Sequence, residues 1–128
     1  MMVADSDVLI DYLCGRLPWA ERIRIEIDTG HLATTAISYF ELSSGAKSAA
    51  DQEKVACLLA ALTVLPVTFA ASQRAANARC ALAARGEGIG MADSLIAGVC
   101  LANSGVLLTR NLDHFGRVPD LKISGRWP

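Results

Sequence analysis

The sequence predicts an α/β fold built on a parallel sheet with helices over both faces. Three observations carry that expectation. Short, unbroken apolar runs at residues 1–4, 32–34 and 106–108 have the character of strands buried on both sides. The longer segments between them repeat apolar residues at helical spacing. Hydrophobic residues make up 52% of the 128, enough for a sizeable core in one domain spanning residues 1–128.

The elements follow in order. Residues 1–4 form the first strand, ended by Asp5. Val8, Leu9 and Tyr12 share one side of a short helix that stops near Gly15. Pro18 suits the first turn of a second helix, which carries Trp19, Ile23 and Ile27 and ends at Gly30. Residues 32–34 are the second strand. A third helix carries Ile37, Phe40 and Glu41 and ends near Gly45. Asp51 caps a fourth helix that runs to Leu62. Val64, Leu65 and Val67 read as a third strand, and Pro66 pushes it to a sheet edge. Residues 71–85 form a long helix with Arg74, Arg79 and Arg85 on its exposed face. Gly86, Gly88 and Gly90 break the chain before the next helix. That helix has Ala92, Leu95, Ile96 and Val99 as its apolar stripe and stops at Gly105. Residues 106–108 are a fourth strand and residues 121–123 a fifth. Trp127 packs to anchor the C-terminus.

Composition narrows the function. Lys and Arg total 12 against 13 Asp and Glu, a net charge of −1. That balance excludes duplex DNA binding by bulk charge. An aromatic content of 5% does not supply a stacking platform for many bases. Cys14, Cys57, Cys80 and Cys100 form no C-x-x-C pair, and neither His31 nor His114 neighbours one of them, so structural zinc is not expected. Each cysteine lies in an apolar or Ala-rich stretch and reads as a small buried hydrophobe. No stretch has the form of a signal peptide or a membrane span, so a soluble cytoplasmic protein is expected.

Three acids hold notable positions. Asp5 ends the first strand, Glu41 lies in the helix after the second, and Asp93 opens the helix that leads to the fourth. In a parallel sheet all three converge beyond the carboxyl ends of the strands, where such folds place their sites. Like-charged pairs at about 4 Å repel by roughly 4 kcal/mol at an effective dielectric of 20. A cation or raised pKa values must relieve that repulsion. Oxygen donors without His or Cys favour Mg²⁺ or Mn²⁺, and such an ion fits a phosphodiester to an acidic pocket.

Four motifs carry a family resemblance. Val3-Ala4-Asp5-Ser6-Asp7-Val8-Leu9-Ile10-Asp11 resembles the opening of PIN domains. Ile37-Ser38-Tyr39-Phe40-Glu41-Leu42-Ser43-Ser44-Gly45 resembles their second motif and Met91-Ala92-Asp93-Ser94-Leu95-Ile96-Ala97 their third. Leu107-Leu108-Thr109-Arg110-Asn111-Leu112-Asp113-His114-Phe115 resembles their fourth. The four occur in order over almost the whole chain, and its length is similar to that of VapC-type toxins of type II toxin–antitoxin pairs. The resemblance implies a three-layer PIN-like fold with strand order 3-2-1-4-5. It implies a metal-dependent RNA endonuclease, a homodimer and a protein antitoxin as partner. By position, Asp5, Glu41 and Asp93 take over the metal-binding acids, while Ser6 and Thr109 match polar residues that orient ligands or water. The fourth acid is replaced by Asn111, with Asp113 two residues on as a substitute through water. Asp7 stands where Asn is usual. The resemblance implies an RNA substrate, and a structured RNA with accessible single-stranded loops is the expected class.

Other readings stand beside this one. Asp5 is a good helix N-cap, Ser38 and Glu41 spell a capping box, and Asp93 complements a helix dipole. Asn111 and Asp113 suit a turn, and His114 reads as a turn or surface residue. Arg110, Arg117, Lys122 and Arg126 group in sequence as a candidate phosphate contact. Asp5-Ser6-Asp7 also matches the D-x-D of haloacid-dehalogenase-like phosphatases, with Asp5 as nucleophile. A catalytically silent PIN-like RNA- or protein-binding module is the remaining alternative.

Overall fold

The computed structural model describes residues 1–124; Arg126 and Trp127, assigned above to a basic group and a terminal anchor, lie outside the described residues. The strands are β1 (Met2–Ala4), β2 (Leu32–Thr35), β3 (Thr63–Leu65), β4 (Val106–Leu108) and β5 (Lys122–Ser124). They form a parallel sheet in the order β3-β2-β1-β4-β5. The helices are α1 (Ser6–Cys14), α2 (Trp19–Asp28), α3 (Ala36–Gly45), α4 (Ala49–Ala60), α5 (Phe69–Ala84), α6 (Met91–Ala102) and α7 (Leu112–Phe115).

Alternation along the strands sorts the core into two halves. Val3 aligns with Ala33 and Leu107, and these side chains pack with Ala71, Ala78 and Leu82 of α5 and Ile96, Ala97 and Cys100 of α6. Their neighbours Ala4, Leu32 and Leu108 serve the opposite face with Val8 and Leu9 of α1, Ile23 of α2, Leu42 of α3 and Leu58 of α4. A strand wanted by helices on both sides has no polar face, which is why the runs read as continuously apolar.

Several local details differ from the expectations. Ser48, not Asp51, caps α4, its hydroxyl accepting from the Asp51 N–H at 3.0 Å. The long helix begins earlier, at Phe69, because Thr68 accepts from the Ala71 N–H. β3 stops at Leu65, since Pro66 has no N–H to continue the ladder; it does lie at the sheet edge. β5 runs one residue later than expected. Three of the four cysteines are not core residues: Cys14, Cys57 and Cys80 are exposed and only Cys100 is buried. An Ala-rich helix has small residues on both faces, so its composition does not say which side faces in. Gly15 ends α1 in the left-handed region at φ 69°, where a side chain would be strained.

Candidate active site

The site grows from the carboxyl ends of β1 and β4, adjacent in the sheet. Asp5 follows β1 and caps α1, its Oδ1 accepting from the Ser6 N–H at 2.8 Å. Its Oδ2 accepts from the Thr109 hydroxyl, just past β4, also at 2.8 Å. Capping and site geometry are therefore combined in one side chain. Asp7 sits in the first turn of α1, and its Oδ2 accepts from the Arg110 N–H at 3.0 Å. This tethers the β4–α7 loop to α1.

Glu41 arrives from α3. The capping box of Ser38 and Glu41 does not form: the helix starts at Ala36, and Thr35 is the cap that accepts from the Ser38 N–H at 3.0 Å. That earlier start leaves Glu41 exposed, where its Oε1 accepts from the Ser6 hydroxyl at 3.2 Å. Asp93 lies in the first turn of α6. Its Oδ2 stands 2.8 Å from His114 Nδ1 and 3.5 Å from Asn111 Nδ2. Asn111 caps α7, accepting from the His114 N–H, and its own N–H donates to Thr109 Oγ1 at 3.0 Å.

The structure thus brings Asp5, Ser6, Glu41, Asp93, Thr109 and Asn111 to one end of the sheet. Asp113 is exposed on α7, and no hydrogen bond or ion pair ties it to the group. His114, read above as a turn or surface residue, keeps 46% of its side chain exposed and also contacts Asp93 directly. No local signal marks that contact, which joins residues 21 positions apart. Asp11 was also missed. It is buried one turn beyond Asp7 on α1 and ion-paired to Arg110 at 3.1 Å and Arg16 at 3.7 Å. Arg110 and Arg117 do not act together: Arg117 approaches Glu87 instead.

Electrostatics marks the centre of the group. Asp5 is only 6% exposed. Burial first, then the charge of Asp7, push its carboxyl up to about 7, against the pull of Thr109 and the Ser6 N–H; Asp93 adds a smaller upward push. Asp7 is also raised, chiefly by burial, and the Arg110 N–H opposes that shift. The Asp7 Oδ1 atom is buried without a hydrogen-bond partner.

A hard dication suits these donors in kind. They are carboxylate oxygens, one of them orphaned, around an acid destabilised by its own charge. Among the described residues, no three His, Cys, Asp or Glu side chains stand ready to close on one ion as arranged here. The outer two carboxylates are engaged instead with Ser6 and His114.

A three-layer α/β domain with these carboxylates beyond the strand ends has the layout of a metal-assisted nuclease. The PIN domain model matches residues 2–121. The chain is 32% identical to Ribonuclease VapC10 of Mycobacterium tuberculosis over 122 residues, covering 95% of this chain and 91% of that protein. It is 31% identical to the tRNA(fMet)-specific endonuclease VapC of Salmonella typhimurium over 106 residues, 80% of each chain. In fold it resembles VapBC2 from Rickettsia felis, crystallised with a DNA fragment from their promoter, at a TM-score of 0.86 and 22% identity over 99% of this chain and 98% of that one. The chain belongs to the PIN-domain family and, within it, to the VapC-type ribonuclease toxins of toxin–antitoxin systems. Membership removes the phosphatase reading of Asp5-Ser6-Asp7. Both Asp5 oxygens are already hydrogen-bonded in a buried position, a poor arrangement for a nucleophile.

Proposed function

We propose that residues 1–128 act as one PIN-like unit whose Asp5, Glu41 and Asp93 hold Mg²⁺ or Mn²⁺ to hydrolyse phosphodiester bonds in RNA. The observation that carries this reading is Asp5: a buried carboxyl, fixed by Thr109 and Ser6, whose charge the fold alone does not neutralise. A dication bound there supplies Lewis acidity, activating water and steadying charge on the phosphate. The chain's own residues do the positioning. Thr109 and the Ser6 N–H orient Asp5, Ser6 steers Glu41, and His114 and Asn111 steer Asp93. Asn111 also fixes the loop that carries Thr109. Asp113 adds negative charge from outside the group.

The substrate we propose is a structured RNA cut in a single-stranded loop, where unstacked bases are accessible. The name of the Salmonella relative points to tRNA as one such class. RNA as substrate sets the action in the cytoplasm; no helix among the described residues is long and apolar enough to cross a membrane. The cognate protein antitoxin is the proposed inhibitor. An apolar groove lined by Ile10, Leu13, Leu42 and Val55 opens beside Glu41 and supports that pairing. A homodimer is proposed from the exposed Phe40, Phe69 and Met91.

The decisive experiment is Asp93→Asn, assayed on RNA with Mg²⁺ and Mn²⁺. Cleavage is expected to fall at least 100-fold while circular dichroism shows an intact fold. A folded Asp93→Asn protein that cuts at the wild-type rate overturns the assignment. RNA binding by the wild type without cleavage in either metal favours the silent binding module.

A further inference from the structure

Arg110 lies between Thr109 and Asn111 on the β4–α7 loop, yet its side chain turns away from the carboxylate group. Its Nε meets Oδ2 of Asp11 at 3.1 Å. Asp11 is a buried carboxylate, 4% exposed, one helical turn beyond Asp7 on α1. Asp7 therefore takes the backbone N–H of Arg110 while Asp11 takes its guanidinium. Arg16, from just past the end of α1, approaches the other Asp11 oxygen at 3.7 Å. The two guanidiniums stay open to solvent, with 52% and 61% of their side chains exposed.

Arg110 and Arg16 balance the charges of Asp11 and Asp7, so this flank presents exposed guanidiniums without a net negative charge beside an otherwise acidic pocket. The Nε side of Arg110 faces Asp11 as an ion pair, and no hydrogen bond among the described residues occupies its guanidinium. A fork held in that way suits the two oxygens of a phosphate. A polyanion approaching clustered acids needs an attractive contact nearby, and this is the one the loop carries at the site's edge.

We infer that Arg110, positioned by buried Asp11 and assisted by Arg16, binds a backbone phosphate of the RNA strand flanking the scissile bond. The inference rests on the ribonuclease reading above. Asp11 is a positioning residue, acting through Arg110.

The test uses a fluorescent single-stranded RNA oligonucleotide and the full chain in an Asp93→Asn background, which keeps the RNA whole. Anisotropy gives the affinity at several salt concentrations. Arg110→Ala is expected to weaken binding about tenfold and to flatten the plot of log affinity against log salt by about 0.7, one phosphate contact's worth. Arg110→Lys recovers the slope but not the full affinity, since it keeps the charge and loses the fork. Arg24→Ala removes an equal charge from an arginine tied to Glu21 and Asp28 on α2, and leaves the slope unchanged. With Asp93 restored, Arg110→Ala raises KM and spares most of kcat, which a purely structural role would not do. Unaltered affinity and slope in a folded Arg110→Ala protein overturn the inference while leaving the ribonuclease reading intact. Equal losses for Arg24→Ala also overturn it, because bulk charge then explains the effect. A wild-type protein that neither binds nor cuts RNA overturns both.

Discussion

Asp5 sits where a carboxylate is hardest to keep charged. Its pKa is near 7 in the folded chain against an ordinary 3.8, so between those values the native state holds a proton that the unfolded state has lost. Stability of the metal-free protein must then fall as pH rises from about 4 to about 7, and stay low above it. A shift of that size corresponds to at most about 4 kcal/mol. Asp7, shifted in the same direction, adds to the trend. In chelator, the thermal midpoint is expected to be higher at pH 5 than at pH 8. Asp5→Asn should remove most of that difference, and Mg²⁺ at pH 8 should restore stability to the wild type alone. A wild-type midpoint that rises steadily to pH 8 in chelator would contradict a charged, uncompensated Asp5.

At the scale of elements, α5 and α6 approach closely at Gly98. A methyl group built on Gly98 of α6 runs into the Ala71 carbonyl oxygen and comes within 2.9 Å of both Ala75 Cβ and the Ala75 nitrogen. The obstacle is mostly backbone, which does not rotate aside. Gly98→Ala adds helix propensity worth about 1 kcal/mol, yet overpacking costs about 1–3 kcal/mol. With the contacts mostly to backbone, the cost lies at the upper end, and the expected result is net destabilisation in urea unfolding by up to about 2 kcal/mol. A variant as stable as the wild type would mean that the two helices do not pack this closely. Since α6 also carries Asp93 in its first turn, separating it from α5 should weaken activity as well.

For the whole molecule, the exposed aromatic and Met side chains on α3, α5 and α6 predict association of two copies. Sedimentation at micromolar concentration should give twice the chain mass of 13.5 kDa. A particle of one chain's mass throughout that range would exclude the dimer. Much of this architecture was legible in the sequence. Strands covered on both faces announce themselves as apolar runs, and Gly15, Gly30 and Pro66 mark where elements stop. Asp5 was legible because it directly follows a strand, Asp93 because it opens a helix, and Glu41 because it lies in the helix after the second strand. Less visible were the partners of those acids. That Ser6 would meet Glu41, His114 would meet Asp93, and Asp11 would be buried under Arg110 depends on pairings across tens of residues. Local pattern carries no record of such pairings. Burial of Cys57 and Cys80 failed for a related reason, since Ala-rich helices look alike on both sides, while Cys14 ends α1 just before its Gly15 cap.

The hydrogen bond from Thr109 to Asp5 joins residues 104 positions apart, and β1 gains its β4 neighbour only when that late segment arrives. A chain growing from its N-terminus therefore carries Asp5 and Asp93 before it carries the Thr109, Asn111 and His114 side chains that hold them, so the arrangement of the two acids is completed by the last part of the sheet to form.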